Sequence, residues 1–217
     1  MQKKLIIFDL DGTLIDTVLD LNKSVNFSLE KNGFIAKSVE HTRKAIGNGV
    51  AKLIARSIPD NESNPLYEKT LKDFKSYYSE HYFESSFPYK NIKETLLELK
   101  KRGYSLAVVT NKFNEGATKL INHFFPRIFD IVQGHEDHLS PKPNSEMVNL
   151  IINKFNFSKS ECLYIGDTEV DYQTARNANI DIVMVSYGYR SHEFIKSNIK
   201  GVPVVDTPIQ ILELLSD

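Results

Sequence analysis

The chain has 217 residues, of which 41% are hydrophobic and 25% are charged. These proportions are typical of globular proteins and exclude the disordered and fibrous classes, and the length allows one large domain or one domain with a sizeable insertion. With 27 basic and 28 acidic residues the formal net charge is -1, which favours neither nucleic acid nor a membrane as partner, so we expect a small diffusing molecule.

The first apolar run, Leu5–Phe8, predicts a buried strand close to the amino terminus. It stops at Asp9, so it is too short for the hydrophobic core of a signal peptide or for a membrane span. The only cysteine, Cys162, excludes an internal disulfide. A lone cysteine suits a reducing compartment, and we expect it in a buried strand of a cytoplasmic protein that is a monomer or a homodimer.

Residues 16–88 contain no run that resembles a buried strand, and their apolar spacing is helical throughout. Pro88 discourages continuation of any helix that precedes it. We therefore predict a helical insertion over residues 16–88 in a core formed by residues 1–15 and 89–217. The three candidate helices of this insertion contain Leu21, Val25, Phe27 and Leu29; then Ile46, Val50, Leu53 and Ile54; then Leu66, Leu71, Phe74, Tyr77 and Tyr78.

After the insertion, short runs rich in β-branched residues alternate with stretches of helical spacing. The predicted strands are residues 105–109, 128–132, 162–165, 182–185 and 202–205. One intervening helix contains Ile92, Leu96 and Leu99, and Gly103 stands where a glycine commonly ends a helix. Strands that alternate with helices predict an α/β fold with a parallel sheet covered on both faces.

Polar residues follow these strands at the positions where parallel sheets bind ligands. They are Asp9, Asp11 and Thr13 after the first strand, Thr110 and Asn111 after the second, Lys142 before a later helix, and Asp167 and Asp171 after the fourth. An isolated D-x-D pair is usually a solvated turn. Two carboxylates at the end of a buried strand, however, require a cation or a shared proton. Four acids against one lysine indicate a hard divalent cation, and Mg2+ suits carboxylates combined with water and phosphate oxygens.

A calcium-binding loop is the rival interpretation, because Asp9, Asp11 and Thr13 occupy alternating positions. The rest of that pattern fails. Its turn glycine would fall at Leu14, its bidentate glutamate would fall at Asp20, and a strand precedes it instead of a helix.

Four motifs occur along the chain in a distinctive order: Asp9-Leu10-Asp11-Gly12-Thr13-Leu14, Thr110-Asn111, Lys142-Pro143 and Gly166-Asp167-Thr168-x-x-Asp171. In this order they resemble the haloacid dehalogenase-like phosphatases over nearly the whole chain. The resemblance implies a Rossmann-like core, a helical cap inserted after the first motif, and Mg2+ as cofactor.

The same resemblance implies roles for the catalytic residues. Asp9 would attack phosphorus, and Asp11 would protonate the leaving alkoxide and then deprotonate the water that hydrolyses the aspartyl-phosphate. Thr110 and Asn111 would donate hydrogen bonds to the phosphoryl oxygens, and Lys142 would balance their charge.

The resemblance also implies the metal ligands. Asp167 would bind Mg2+ together with Asp9 and the backbone carbonyl of Asp11. Asp171 would act either through a metal-bound water or by holding Lys142.

The substrate is indicated by the insertion, where residues Gly47, Asn48 and Gly49 resemble the cap signature of phosphoglycolate phosphatases. Asp16-Thr17, Asn111-Lys112 and Tyr187-Gly188-Tyr189 add to this likeness. One interpretation of the three residues is a substrate-binding cap loop, with Arg43, Lys44 or Arg56 as the partner of a substrate carboxylate. The other interpretation is a glycine turn between two helices.

From this likeness we expect hydrolysis of 2-phosphoglycolate or a similar small phosphate monoester. A sugar-phosphate phosphatase and a β-phosphoglucomutase-like phosphotransferase remain alternatives that share the core and the cap type. A non-catalytic regulatory module that keeps only the phosphate pocket is a third. Dehalogenation is disfavoured, because cleavage of a carbon-halogen bond needs no proton donor at Asp11.

Overall fold

The computed structural model describes residues 2–215. The chain forms two compact units, one containing the residues up to Ile15 together with those from Pro88 onward, and the other containing Asp16–Phe87. In chain order the elements are β1 (Leu5–Phe8), β2 (Ile15–Asp16), α1 (Val18–Lys31), α2 (Val39–Ala45), α3 (Gly49–Ala55), α4 (Tyr67–His81), β3 (Phe87–Pro88), α5 (Ile92–Lys101), β4 (Ser105–Phe113), α6 (Asn114–Phe124), β5 (Ile131–His135), α7 (Glu146–Phe155), β6 (Cys162–Gly166), α8 (Glu169–Ala178), β7 (Asp181–Val185), α9 (His192–Asn198), β8 (Val204–Val205) and α10 (Ile209–Leu214). Within the described residues, no helix has the length and apolar composition that a membrane span requires.

The larger unit is built on a six-stranded parallel sheet with the strand order β5-β4-β1-β6-β7-β8. All four residues of β1 are fully buried. A continuous apolar run of this kind belongs to a strand that is covered on both faces. The predicted α/β, Rossmann-like fold is therefore confirmed.

The position of β1 determines where a ligand can bind. It lies in the middle of the sheet, between β4 and β6, and the chain order runs in opposite directions on its two sides. Open parallel sheets bind ligands outside the carboxyl ends of the strands at such a switch point. The residues that follow β1 and β6, and those at the end of β4, thus face one crevice.

The core beneath this crevice is apolar. Leu5 and Ile7 of β1 form one cluster with Val109 of β4 and with Met147 and Ile151 of α7, and all five side chains are fully buried. Each such burial contributes about 1.5–3 kcal/mol to stability. The strands therefore have a rigid support.

The strand β4 is longer than predicted. It continues past Val109 to Phe113, so that Thr110 and Asn111 lie within the strand and not after it. The pairing between β4 and β5 changes register between Val109 and Phe113. Such an irregularity re-aims side chains at a sheet edge.

Two other strand boundaries were predicted wrongly. The strand β5 is Ile131–His135, because Ile128 belongs to a turn in which its N–H donates to the Phe125 carbonyl (3.2 Å). The strand β8 is limited to Val204–Val205, because Pro203 has no N–H to donate to a ladder. By contrast, β1 and β6 begin where they were predicted, and Cys162 is buried in β6.

The helix α5 ends as the glycine pattern predicts. Gly103 has φ +87°, and its N–H donates to the Lys100 carbonyl (3.0 Å), while the Tyr104 N–H reaches back to Leu99 (3.1 Å). This pair of bonds satisfies carbonyls that a helix end leaves unpaired.

In the helical unit, the prediction that Ile46 shares a helix with residues 50–54 is wrong. The helix α2 ends at Ala45, Ile46 is extended, and α3 begins at Gly49. Gly47 and Gly49 have φ values of +128° and +82°, which other residues rarely adopt. The glycine turn interpretation of residues 47–49 therefore describes their backbone.

The helix α4 pairs with α1 in this unit and buries Phe74 and Tyr78, whose rings stack with centroids 5.3 Å apart. Leu66 does not belong to α4, contrary to the prediction, because it is the N-cap residue and is 40% exposed.

Candidate active site at the carboxyl edge of the sheet

The strand β1 positions Asp9. The Asp9 N–H extends the ladder and donates to the Ile165 carbonyl of β6 (2.9 Å). Asp9 is buried, with 7% of the residue exposed. Its carboxylate is thus held at the edge of the sheet by the backbone of two neighbouring strands.

The turn after Asp9 is tight and depends on a glycine. The N–H groups of Leu14 and Ile15 both donate to the Leu10 carbonyl, at 3.0 and 3.1 Å. Gly12 has φ +90°, and a Cβ at this position would lie 2.4 Å from Oδ2 of Asp167. Only glycine allows this turn to pack against the Asp167 carboxylate.

Lys142 lies at the centre of the cluster. Its Nζ is 2.8 Å from Oδ1 of Asp9, 2.8 Å from Oδ1 of Asp171 and 3.1 Å from the Tyr164 hydroxyl. The amide of Asn111 binds the backbone of Lys142 on both sides, because its Oδ1 accepts from the Lys142 N–H (2.7 Å) and its Nδ2 donates to the Lys142 carbonyl (3.0 Å). Asn111 therefore fixes the loop that carries the lysine.

Both oxygens of Asp171 have partners within the protein. Oδ1 faces Lys142, and Oδ2 accepts from the N–H and the hydroxyl of Thr168, at 3.0 and 2.8 Å. The bond from the Thr168 N–H is one half of the capping box that begins α8, and in the other half the Thr168 hydroxyl oxygen accepts from the Asp171 N–H. Asp171 thus joins the helix start to Lys142.

Asp167 is held by two loops. Its Oδ1 accepts from the Thr13 hydroxyl (3.2 Å), and its Oδ2 accepts from the Tyr189 N–H (2.8 Å). A Cβ at Gly188 would lie 2.1 Å from the Gly12 carbonyl oxygen and 2.6 Å from Cβ of Asp167. The loop after β7 therefore packs directly on the acidic cluster.

Asp11 pairs with a second buried lysine. Nζ of Lys112 lies 3.0 Å from Oδ1 of Asp11, and the exposed fractions of the two side chains are 2% and 14%. Thr110 is buried beside them, and its hydroxyl accepts from the Lys112 N–H (3.2 Å).

Burial and like charges shape the proton affinity of the cluster. The pKa of Asp9 is raised to about 7, chiefly by burial and then by the Asp171 carboxylate, while Lys142 opposes the rise. Burial, followed by the carboxylates of Asp171 and Asp9, also raises the pKa of Asp167 well above its usual range. Burial lowers the pKa of Lys142, but the same two carboxylates outweigh it and leave that pKa well above its usual range. Negative charge therefore exceeds positive charge in the cluster: it favours the protonated form of Asp9 and Asp167, and it favours the charged form of Lys142.

The donor set fits a divalent cation. Carboxylate oxygens of Asp9, Asp167 and Asp171 lie within 4.8 Å of one another. Oδ1 of Asp9 is buried without a donor in hydrogen-bonding geometry, although Lys142 Nζ lies 2.8 Å away. With Asp11 and Lys112 included, the cluster contains two more carboxylates than lysines, and a hard divalent cation with oxygen ligands balances that difference.

The structure therefore brings together the predicted residues of the four motifs, all of them in the larger unit. The residues predicted in the insertion belong to the helical unit: Gly47, Asn48 and Gly49. There Arg56 donates to the carbonyl that ends α2 (2.8 Å) and to Oδ1 of Asn48 (2.7 Å), so it supports the glycine turn. Arg43 and Lys44 lie 4.0 and 3.3 Å from Glu40 on their own helix.

Sequence reasoning missed three residues of the cluster. Lys112 and Gly188 stand out in the sequence only as parts of short resemblances, and Tyr164 only as one residue of an apolar strand. The signal available for Tyr164 was a hydroxyl in a run that is otherwise apolar, since a buried tyrosine normally finds a hydrogen-bond partner.

Comparisons with known proteins agree with this geometry. Residues 6–185 match the family described as Haloacid dehalogenase-like hydrolase. The chain is 33% identical to the phosphoglycolate phosphatase of Vibrio parahaemolyticus over 98% of this chain and 96% of that protein. It is also 33% identical to the phosphoglycolate phosphatase of Nitrosococcus oceani, over 99% and 97%. Among solved structures, a predicted phosphoglycolate phosphatase of Haemophilus somnus superposes with a TM-score of 0.89 at 30% identity, over 99% and 98% of the two chains.

Proposed function

We propose that this chain, a phosphoric monoester hydrolase of the haloacid dehalogenase-like hydrolase family, hydrolyses 2-phosphoglycolate. In the proposed reaction the enzyme uses Mg2+ and forms an aspartyl-phosphate on Asp9. The observation that carries the mechanism is the buried Oδ1 of Asp9, which lacks a hydrogen-bond donor in good geometry and belongs to a cluster of three carboxylates. Lys142 Nζ lies 2.8 Å from this oxygen without completing a hydrogen bond of good geometry, so the carboxylate keeps lone pairs for a cation and for an electrophile.

The first half-reaction forms a bond between a carboxylate oxygen of Asp9 and phosphorus while the ester P–O bond breaks. Asp11 gives its proton to the departing alkoxide. In the second half-reaction Asp11 takes a proton from water as the water oxygen attacks phosphorus and the bond to Asp9 breaks. Phosphate leaves, and both carboxylates return to their initial state.

Two groups of this chain stabilise the phosphoryl oxygens in the proposal. Lys142 is fixed beside Asp9 by Asn111 and Asp171, so its charge is in place before the substrate binds. Thr110 lies buried on the neighbouring strand with its hydroxyl at the same edge of the sheet. Preorganised donors of this kind each contribute roughly 100- to 1000-fold to turnover.

Mg2+ would be held by Asp9, Asp167 and the backbone carbonyl of Asp11, and when bound it supplies positive charge that offsets the repulsion between a carboxylate nucleophile and an anionic phosphate. Asp171 then acts by holding Lys142, because its two oxygens already accept from Lys142 and Thr168. We thus prefer this role to contact through a metal-bound water.

The choice of 2-phosphoglycolate is supported by the relatives, at 33% identity over nearly their whole length. The helical unit Asp16–Phe87 would act as the cap, with its glycine turn at residues 47–49 contributing to substrate binding. A cytoplasmic location and a monomeric or homodimeric state complete the proposal, and the lone buried cysteine supports the location.

A substrate comparison tests this proposal. Phosphate release is measured with and without Mg2+ for 2-phosphoglycolate and for 2-hydroxyethyl phosphate, which has the same size but no carboxylate. If the enzyme makes a charge-assisted hydrogen bond to the substrate carboxylate, kcat/KM for 2-phosphoglycolate should exceed kcat/KM for 2-hydroxyethyl phosphate by about 10- to 100-fold.

Sugar phosphates and nucleoside monophosphates are assayed separately as alternative substrates. Equal cleavage of these esters, with 2-phosphoglycolate left intact, would contradict the substrate assignment. Isomerised product from a hexose phosphate in the presence of its bisphosphate would instead identify a mutase.

A further inference from the structure

Lys112 is an unusual lysine, because it lies in a central strand and its side chain is only 2% exposed. Lysine is almost never fully buried unless it has a partner of opposite charge. Here the partner is Asp11, whose Oδ1 lies 3.0 Å from Nζ. Burying a lysine costs free energy because its charge loses contact with water, and the ion pair with Asp11 offsets that cost. The contact with Asp11 therefore accounts for a lysine at this position.

The backbone that carries Lys112 is itself fixed. The register of β4 against β5 changes between Val109 and Phe113, which directs this residue toward the site. On the neighbouring strand, a Cβ at Gly134 would lie 2.7 Å from the Lys112 carbonyl oxygen and 2.5 Å from Cα of Asn114. The Gly134 N–H also donates to Oδ1 of Asn114 (2.9 Å). The glycine lets the strands approach, and the asparagine holds them together.

We propose that Lys112 is a positioning residue that orients the Asp11 carboxylate for proton transfer. This inference rests on the proposed function, in which Asp11 is the general acid and base. Asp11 belongs to a turn, and its side chain has to be aimed at the ester oxygen and then at the water. In the two half-reactions a proton passes from Asp11 to the alkoxide and another returns from water to Asp11, with Lys112 Nζ 3.0 Å from Oδ1 of Asp11.

Asp11 needs this support because other acids surround it. Asp9, Asp167 and Asp171 crowd the same edge of the sheet, and Lys142 is occupied by Asp9 and Asp171. Carboxylates that lie close together repel one another. The charge of Lys112, 3.0 Å from Oδ1 of Asp11, offsets this repulsion at the Asp11 side chain.

The two half-reactions depend on Asp11 to different extents, so they distinguish a positioning role of Lys112 from a purely structural one. Expulsion of p-nitrophenol needs little help from an acid, because its oxyanion is stable, whereas breakdown of the aspartyl-phosphate needs Asp11 as base for every substrate. The Lys112→Met variant is therefore expected to release p-nitrophenol from p-nitrophenyl phosphate in a burst of one equivalent, followed by a slow steady state.

With 2-phosphoglycolate, Lys112→Met is expected to lower kcat by about 10- to 100-fold while KM changes less than about threefold; the fall in kcat is of the size found when groups that orient metal-binding side chains are removed. Lys112→Arg, which keeps the charge, should restore much of the rate. A rise in KM at constant kcat would overturn the proposal, since it would place Lys112 in substrate binding. Unchanged kinetics would also overturn it.

A double-mutant cycle with Asp11→Asn completes the experiment. If Lys112 acts through Asp11, adding Lys112→Met to Asp11→Asn causes no further fall in kcat, whereas multiplied effects would overturn the proposal. Full turnover by Asp11→Asn alone would instead contradict the proposed function. Melting temperatures are measured for all variants, and if Lys112→Met does not fold, Lys112→Gln is used for the same comparison.

Discussion

Replacement of Gly188 by alanine tests how closely the loop after β7 determines the active-site geometry. The new Cβ would lie 2.1 Å from the Gly12 carbonyl oxygen and 2.6 Å from Cβ of Asp167, whereas Cβ atoms in folded proteins essentially never come within 3.0 Å of such atoms. The two loops must therefore separate by about 1 Å, and a displacement of this size can cost on the order of 100-fold in rate. The added strain costs about 1–3 kcal/mol of stability.

The assay is Mg2+-dependent phosphate release from 2-phosphoglycolate, measured together with thermal unfolding. Gly33→Ala is the matched control, because Gly33 has φ +78° and a Cβ added there would meet no atom within 4 Å, so it should lose stability without losing turnover. If Gly188→Ala keeps the turnover of the unmodified enzyme, or if Gly33→Ala loses as much, the packing of this loop does not control the site.

Three further predictions concern buried groups. Burial raises the pKa of the Cys162 thiol to about 11, so about one molecule in a thousand carries the thiolate at pH 8; iodoacetamide should label the thiol only after denaturation, and rapid labelling of the native protein would contradict this. Both oxygens of Asp20 accept from the Ser85 N–H, and one also accepts from the Ser86 hydroxyl; Asp20→Ala should cost about 1–3 kcal/mol for each donor left unpaired, and an unchanged midpoint in urea would refute it. Tyr164→Phe removes the hydroxyl that accepts from Lys142 and should lower the free energy of unfolding by about 1–3 kcal/mol in the same urea assay; an unaltered midpoint would contradict this.

The sequence predicted the parts of the fold that depend on local patterns. The buried runs predicted β1 and β6 from their first residues, and Gly103 marked the end of α5 through the backbone angle that it permits. The clustering of Asp9, Asp167 and Asp171 could be predicted because they follow strands, and a parallel sheet gathers the ends of its strands at one edge.

The remaining parts depend on tertiary contacts that no local pattern records. The register change in β4 is a property of its pairing with β5, so the sequence could not place Lys112 beside Asp11. Likewise, the need for glycine at position 188 comes from the Gly12 carbonyl, which is distant in sequence. Helical spacing predicts one helix that includes Ile46, but α2 ends at Ala45, and Gly47 and Gly49, which have positive φ, form the turn from which α3 begins.

The central claim is that Asp9 is the nucleophile, and its most direct test is Mg2+-dependent phosphate release by Asp9→Asn. The substitution keeps the size of the side chain and removes its nucleophilic charge, so we expect kcat to fall by on the order of 10⁴-fold or more. Asp60→Asn, at an exposed position in the helical unit, should retain full activity. Phosphate release by Asp9→Asn at the rate of the unmodified enzyme would contradict the account.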